Sequence, residues 1–194
     1  MTSELDFSAD ERLFGSGTDD YRNTAMTIGT TSDAVPYAAS FWEAGDILVK
    51  RGVETRTQDL VAFPSLYCYR HALELATKNV VYEWERTTTG AFELLGTHDL
   101  GPLWNRTRAA LEGAWPNGDT SQLDRMEAII GELAAIDSKG ELFRYDLDKE
   151  GFVRDIPEEL KRFDLVTVSQ VITKLLALLF GALDGIAYLR ENGE

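Results

Sequence analysis

The chain has 194 residues, enough for one ordinary globular domain with a tail. Apolar residues make up 44% and charged residues 27%, which excludes collagen-like, disulfide-framework and fully disordered chains. Nineteen Lys and Arg against 33 Asp and Glu leave a net charge of −14, a surface that repels phosphate backbones and anionic lipid, and two histidines with one cysteine exclude a rich metal constellation.

Residues 1–34 are polar and rich in Thr, Asp and Gly. They carry seven acids (Glu4, Asp6, Asp10, Glu11, Asp19, Asp20, Asp33) against Arg12 and Arg22. No helical or strand period emerges, so a loosely attached acidic arm is expected, followed by a domain over 35–194. The start, Met1 to Phe7, lacks the basic and apolar regions of a secretory signal. Cys68 has no partner for an internal disulfide. The most apolar stretch, Leu175 to Leu183, is far shorter than the roughly 20 residues a bilayer span needs. A cytoplasmic protein with no membrane span is expected.

Pro36 suits a first helical turn, and Tyr37, Phe41, Ile47 and Leu48 follow at helical intervals up to Gly52. A second helix is predicted over 64–86, from Pro64 to Arg86. Leu66, Leu73, Thr77, Val80 and Trp84 form a stripe on it, while Tyr67, Leu75 and Tyr82 lie on other faces. A helix apolar on nearly all sides is a central one. His98-Asp99-Leu100-Gly101-Pro102 opens a third helix reaching Ala114, and Thr120 or Ser121 caps a fourth that ends at Asp137-Ser-Lys-Gly140. Residues 141–163 are the least helical internal stretch, with a helix start at Pro157-Glu158-Glu159. The last helix is the clearest: Leu165, Val168, Ile172, Leu175, Leu179, Leu183 and Ile186 form one broad stripe over 165–191. The expected fold is an all-α bundle of five or six helices.

Arg70, Glu74 and Lys78 stand at i, i+4 and i+8 on one ridge of the second helix, and each step supports an ion pair. The ridge borders the apolar stripe, so it reads either as a salt-bridge chain under neighbouring helices or as a polar site in the bundle core. His71-Ala-Leu-Glu74 resembles half of a di-metal site. Such sites need two Glu-x-x-His pairs and two further carboxylates, and His98 has no carboxylate three residues before it, so neither metal nor cofactor is expected. His98-Asp99 reads as a capping pair or, alternatively, as an acid/base or phosphate contact facing the Arg70 ridge. Cys68 lies in an apolar helix and reads as a packing residue. No nucleophile elbow, phosphate loop or dinucleotide fingerprint is present. Ala177, Gly181 and Gly185 line one ridge of the last helix, where two glycines imply a close backbone approach within the chain or from a second subunit.

The run Leu66-Tyr67-Cys68-Tyr69-Arg70-His71-Ala72-Leu73-Glu74-Leu75-Ala76-Thr77-Lys78, followed by Thr97-His98-Asp99-Leu100 and Leu103-Trp104, resembles HEPN-like helical proteins of bacteria. Phe143-Arg144-Tyr145 is similar to a further element of one subgroup, so the match covers about residues 64–145. The resemblance implies an α-helical bundle, frequent homodimers, and roles in toxin–antitoxin and phage-defence systems, often as metal-independent ribonucleases. The family's signature is an Arg followed, after four to six residues, by a His. Here Pro64, Ser65 and Leu66 precede His71 at that spacing, and Ala91, Phe92 and Glu93 precede His98.

Three readings follow. The first is a non-catalytic HEPN-like homodimer that contacts a partner protein encoded nearby, or a small ligand, through Arg70, Glu74, Lys78, His98 and Arg144. The second is a ribonuclease with a rearranged site drawn from Arg70, His71, Glu74, His98 and Arg144. The third is an antitoxin-like partner whose acidic arm mimics nucleic acid. RNA is disfavoured by the net charge. The ridge Ala177, Gly181, Gly185 is the expected dimer contact.

Overall fold

A computed structural model describes residues 34–193, and these form six α-helices. The only strand-like pairing among the described residues is one antiparallel bridge between Leu147 and Val153. The chain divides into two units, residues 1–32 and 33–194. The expected arm, 1–34, lies outside the described residues except for Ala34, which opens the first helix.

Helix α1 spans Ala34–Thr55 and α2 spans Gln58–Thr89. The two-residue link between them is a Schellman closure: Thr57 N donates to Gly52 O at 2.9 Å, with Arg56 in the left-handed region at φ 58°. The second helix therefore starts a turn and a half before the expected Pro64. Pro64 removes one main-chain donor in the second turn, yet the helix continues through it; the next residue, the buried Ser65, donates through Oγ to Ala62 O at 2.8 Å. Gly90, in the left-handed region, closes α2.

Helix α2 is the central element and packs against α1, α3 and α6. Leu66, Tyr69, Ala72, Leu73, Ala76 and Val80 are buried on several of its sides, as its all-round apolar character requires. Helix α3 (Leu100–Ala114) is capped by Asp99, whose side chain accepts from Gly101 N at 3.1 Å. Helix α4 (Ser121–Ile136) packs on α3 but buries fully only Met126 and Ile130. After a turn-rich segment, the single-turn α5 (Glu158–Lys161) leads into α6 (Leu165–Asn192), capped by Asp164.

The stripe of α6 lies in the core, with Ile172, Leu175, Leu176, Leu179, Leu183 and Ile186 all buried. Trp42 Nε1 ties α1 to this helix by donating to Thr173 Oγ1 at 3.2 Å. Helix α6 runs Leu165–Asn192, against the expected 165–191. By length and composition alone α6 could cross a membrane, a property that core helices of soluble proteins share.

Candidate polar site around Arg70 and Glu74

The ridge on α2 is buried. Arg70 is 2% exposed and Glu74 3%. An uncompensated guanidinium at that depth would be very costly, so its N–H groups must all find acceptors. Nε donates to Asp137 O at 2.9 Å, NH1 to Glu74 Oε2 at 3.0 Å, and NH2 to both His98 O (2.6 Å) and Ser138 O (2.7 Å). One side chain thus fastens α2 to the entry of α3 and to the end of α4. Asp137 completes the receptor: its Oδ2 lies 3.5 Å from Arg70 Nε, and its Oδ1 accepts from Glu141 N and Leu142 N.

Glu74 sits between cations. Its Oε1 accepts from Lys78 Nζ at 2.8 Å and is 2.7 Å from His98 Nδ1. Burial pushes the Glu74 carboxyl up, but the hydrogen bonds from Lys78, His98 and Arg70 outweigh it, leaving it below the usual carboxylate range. An ionised Glu74 can only accept, so His98 Nδ1 carries the proton and donates. In the neutral ring Nε2 is then the acceptor, and the imidazole side chain is 66% exposed. Asp99 caps α3, and His98 faces the ridge through Glu74. The segment before them is steered by Tyr82, whose hydroxyl accepts from Leu95 N at 2.9 Å.

His71 belongs to a different face. It stands edge-on to Phe41 at 4.4 Å and stacks on Tyr67 at 5.9 Å, between α1 and α2. Burial pushes its pKa below the ordinary value. Arg144 joins this aromatic column rather than the Glu74 carboxylate, lying over Tyr67 and Tyr145 while its Nε donates to Gly140 O. Cys68 is half-buried and its thiol is pushed up by desolvation, which suppresses the thiolate.

The structure therefore brings Arg70, Glu74, Lys78 and His98 together and leaves His71 and Arg144 apart. The sequence reading missed the main-chain oxygens of His98, Asp137 and Ser138 as the receptor for Arg70. No group of three or more His, Cys, Asp or Glu suited to a metal occurs among the described residues. The glycine ridge on α6 also divides: Gly185 faces Trp115 of the same chain, whereas Gly181 has open space beside it and Ala177 is exposed.

Chemically, the arrangement is an exposed imidazole aimed by a buried carboxylate. It can exchange a proton with a solvent-side molecule. The guanidinium beside it is committed to protein acceptors. Comparison with protein-family models, with curated proteins and with solved structures finds no match for this chain.

Proposed function

We propose that the chain is a HEPN-like helical module, homodimeric and cytoplasmic, that holds a partner or ligand in a bacterial toxin–antitoxin or phage-defence setting and does not cleave RNA. The observation that carries this reading is the commitment of Arg70. Metal-independent RNA cleavage needs a base at the 2′-hydroxyl and a cation facing the developing phosphate charge. Arg70 spends its donors on Asp137 O, Ser138 O, His98 O and Glu74. His71 is half-buried in the aromatic column, and His98 is the more exposed histidine. The net charge of −14 weakens capture of a polyanion further, most of all at physiological salt.

The exposed His98 ring favours one alternative, a ribonuclease built on His98 with Glu74. Cleavage of RNA in EDTA by the purified protein, beside His98→Ala and His71→Ala, separates the two. The proposal expects no cleavage above buffer. Robust cleavage lost in His98→Ala would establish the alternative.

A further inference from the structure

Helix α4 carries an apolar stripe that the fold covers only in part. Ile129, Leu133 and Ile136 are half-buried, although they continue the stripe that buries Met126 and Ile130. The space they face is a half-open cavity of about 290 Å³ between α4, α2 and α6, lined further by Phe143 and Phe163. That is just below the ~300–1,000 Å³ found for small-molecule pockets, and walls of this apolar kind are typical of them. Arg70 contributes to the wall, but its guanidinium charge is already met by Glu74 and Asp137.

The rim has one sign. Glu132 of α4 and Glu159 of α5 both line the cavity, both are exposed, and neither forms an ion pair with a described residue. The neighbouring cations are directed elsewhere: Lys161 pairs with Glu158 at 2.5 Å, and Arg162 lines a separate cleft with Gln58 and Asp59. An apolar chamber with two free carboxylates at its mouth matches a molecule with an apolar body and a cationic head.

We propose that this cavity is a binding site for a small amphiphilic amine, an alkyl- or arylammonium ion with its tail among Leu133, Val168 and Ile172 and its head at Glu132 and Glu159. This deepens the ligand-binding reading above and rests on it. A carboxylate with the same tail would set its charge against both rim acids. A neutral alcohol would fill the chamber without using the rim.

The test is calorimetric titration of the wild-type protein with butyl-, hexyl-, octyl- and dodecylammonium chloride, beside octanol and sodium octanoate, in 150 mM salt. Affinity should rise with chain length to a cut-off set by the 290 Å³ of the cavity, beyond which added methylenes stay in water. Octylammonium should bind about tenfold tighter than octanol, the effect of two exposed ion pairs, and octanoate more weakly than either. Glu132→Gln with Glu159→Gln should equalise octylammonium and octanol. Val168→Trp, checked for retained helicity by circular dichroism, should abolish binding by filling the chamber. If that variant does not fold, the chain-length cut-off in the wild type decides instead. Affinity that climbs without a cut-off, or octanoate binding as tightly as octylammonium, would overturn the proposal. No binding by any probe would overturn this site but leave a protein partner open, whereas RNA cleavage in EDTA would strike the functional reading itself.

Discussion

Gly140 and Arg70 are in contact. A Cβ built on Gly140 would lie 2.8 Å from Arg70 NH1 and 2.9 Å from its Cζ, and Gly140 holds φ at 72°. Two demands meet there: a left-handed backbone that turns the chain out of α4, and room for a guanidinium held by four hydrogen bonds. An arginine tip on a free stem would swing aside, but this one is fixed. Gly140→Ala should therefore cost about 2 kcal/mol or more, combining the left-handed penalty with displacement of a buried donor. A urea midpoint equal to wild type would show that the Arg70 receptor yields easily.

Arg70 itself should be required for stability whatever the protein does. Arg70→Ala leaves Glu74 short of a partner and strips donors from the buried carbonyls of Asp137 and Ser138. Removing one member of a buried pair costs on the order of 3–5 kcal/mol. Arg70→Lys should rescue little, because an ammonium cannot span acceptors on three segments with a planar fork. Chemical denaturation of both variants checks this, and a lysine variant as stable as wild type would refute the geometric argument.

Between pH 3 and 8, Glu74 and His71 both make stability rise with pH. Stability rises with pH wherever the unfolded chain binds more protons than the folded one. Burial raises the Glu74 carboxyl, but its hydrogen bonds prevail and hold it below the ordinary 4.5. Its contribution is complete above about pH 4.5 and lost as pH falls through the folded value. Desolvation holds His71 below its ordinary 6.5, so its contribution is complete above about pH 6.5 and declines as pH falls toward its folded value. His71→Phe keeps the stack on Tyr67 and should remove the decline that begins near pH 6.5. Glu74→Gln should flatten only the acid limb. Urea midpoints measured from pH 3 to 8 report both slopes.

The helices were legible because their apolar residues recur at helical spacing and Gly or capping residues punctuate them. The Arg70-Glu74-Lys78 ridge was legible for the same reason: spacing within one helix is fixed by helix geometry. The partners of that ridge were not. Arg70 is received by main-chain oxygens of His98, Asp137 and Ser138, and a carbonyl has no signature in sequence. Asp137-Ser-Lys-Gly140 was readable as a helix end, and it is one, but nothing local says that the end faces α2. The same limit hid Asp46, whose Oδ1 accepts from Tyr69 Oη at 2.6 Å and from Ser169 Oγ at 3.1 Å, joining three helices. Pro64 misled the start of α2, because one missing donor near a helix start is a weaker effect than the packing that extends the helix.

The glycines of α6 give the last prediction, since one ridge presents two environments. A Cβ on Gly185 would stand 2.8 Å from Trp115 Cζ2, and that indole sits at the end of α3. Gly185→Leu should therefore overpack an intrachain contact and cost about 1–3 kcal/mol. Gly181 has nothing within 4 Å, so Gly181→Leu adds no clash within the chain and replaces a poor helix former, a gain of up to about 1 kcal/mol. The proposed homodimer, if it crosses at Ala177 and Gly181, would reverse that gain in the assembly, because leucine would push the second helix away. Thermal melts of both variants, with light scattering across micromolar concentrations, read the two effects separately. The expected result is a less stable Gly185→Leu, and a Gly181→Leu at least as stable as wild type within each chain but shifted toward monomer. A wild type that is already monomeric at those concentrations would refute the dimer contact and leave Trp115 as the whole reason for Gly185.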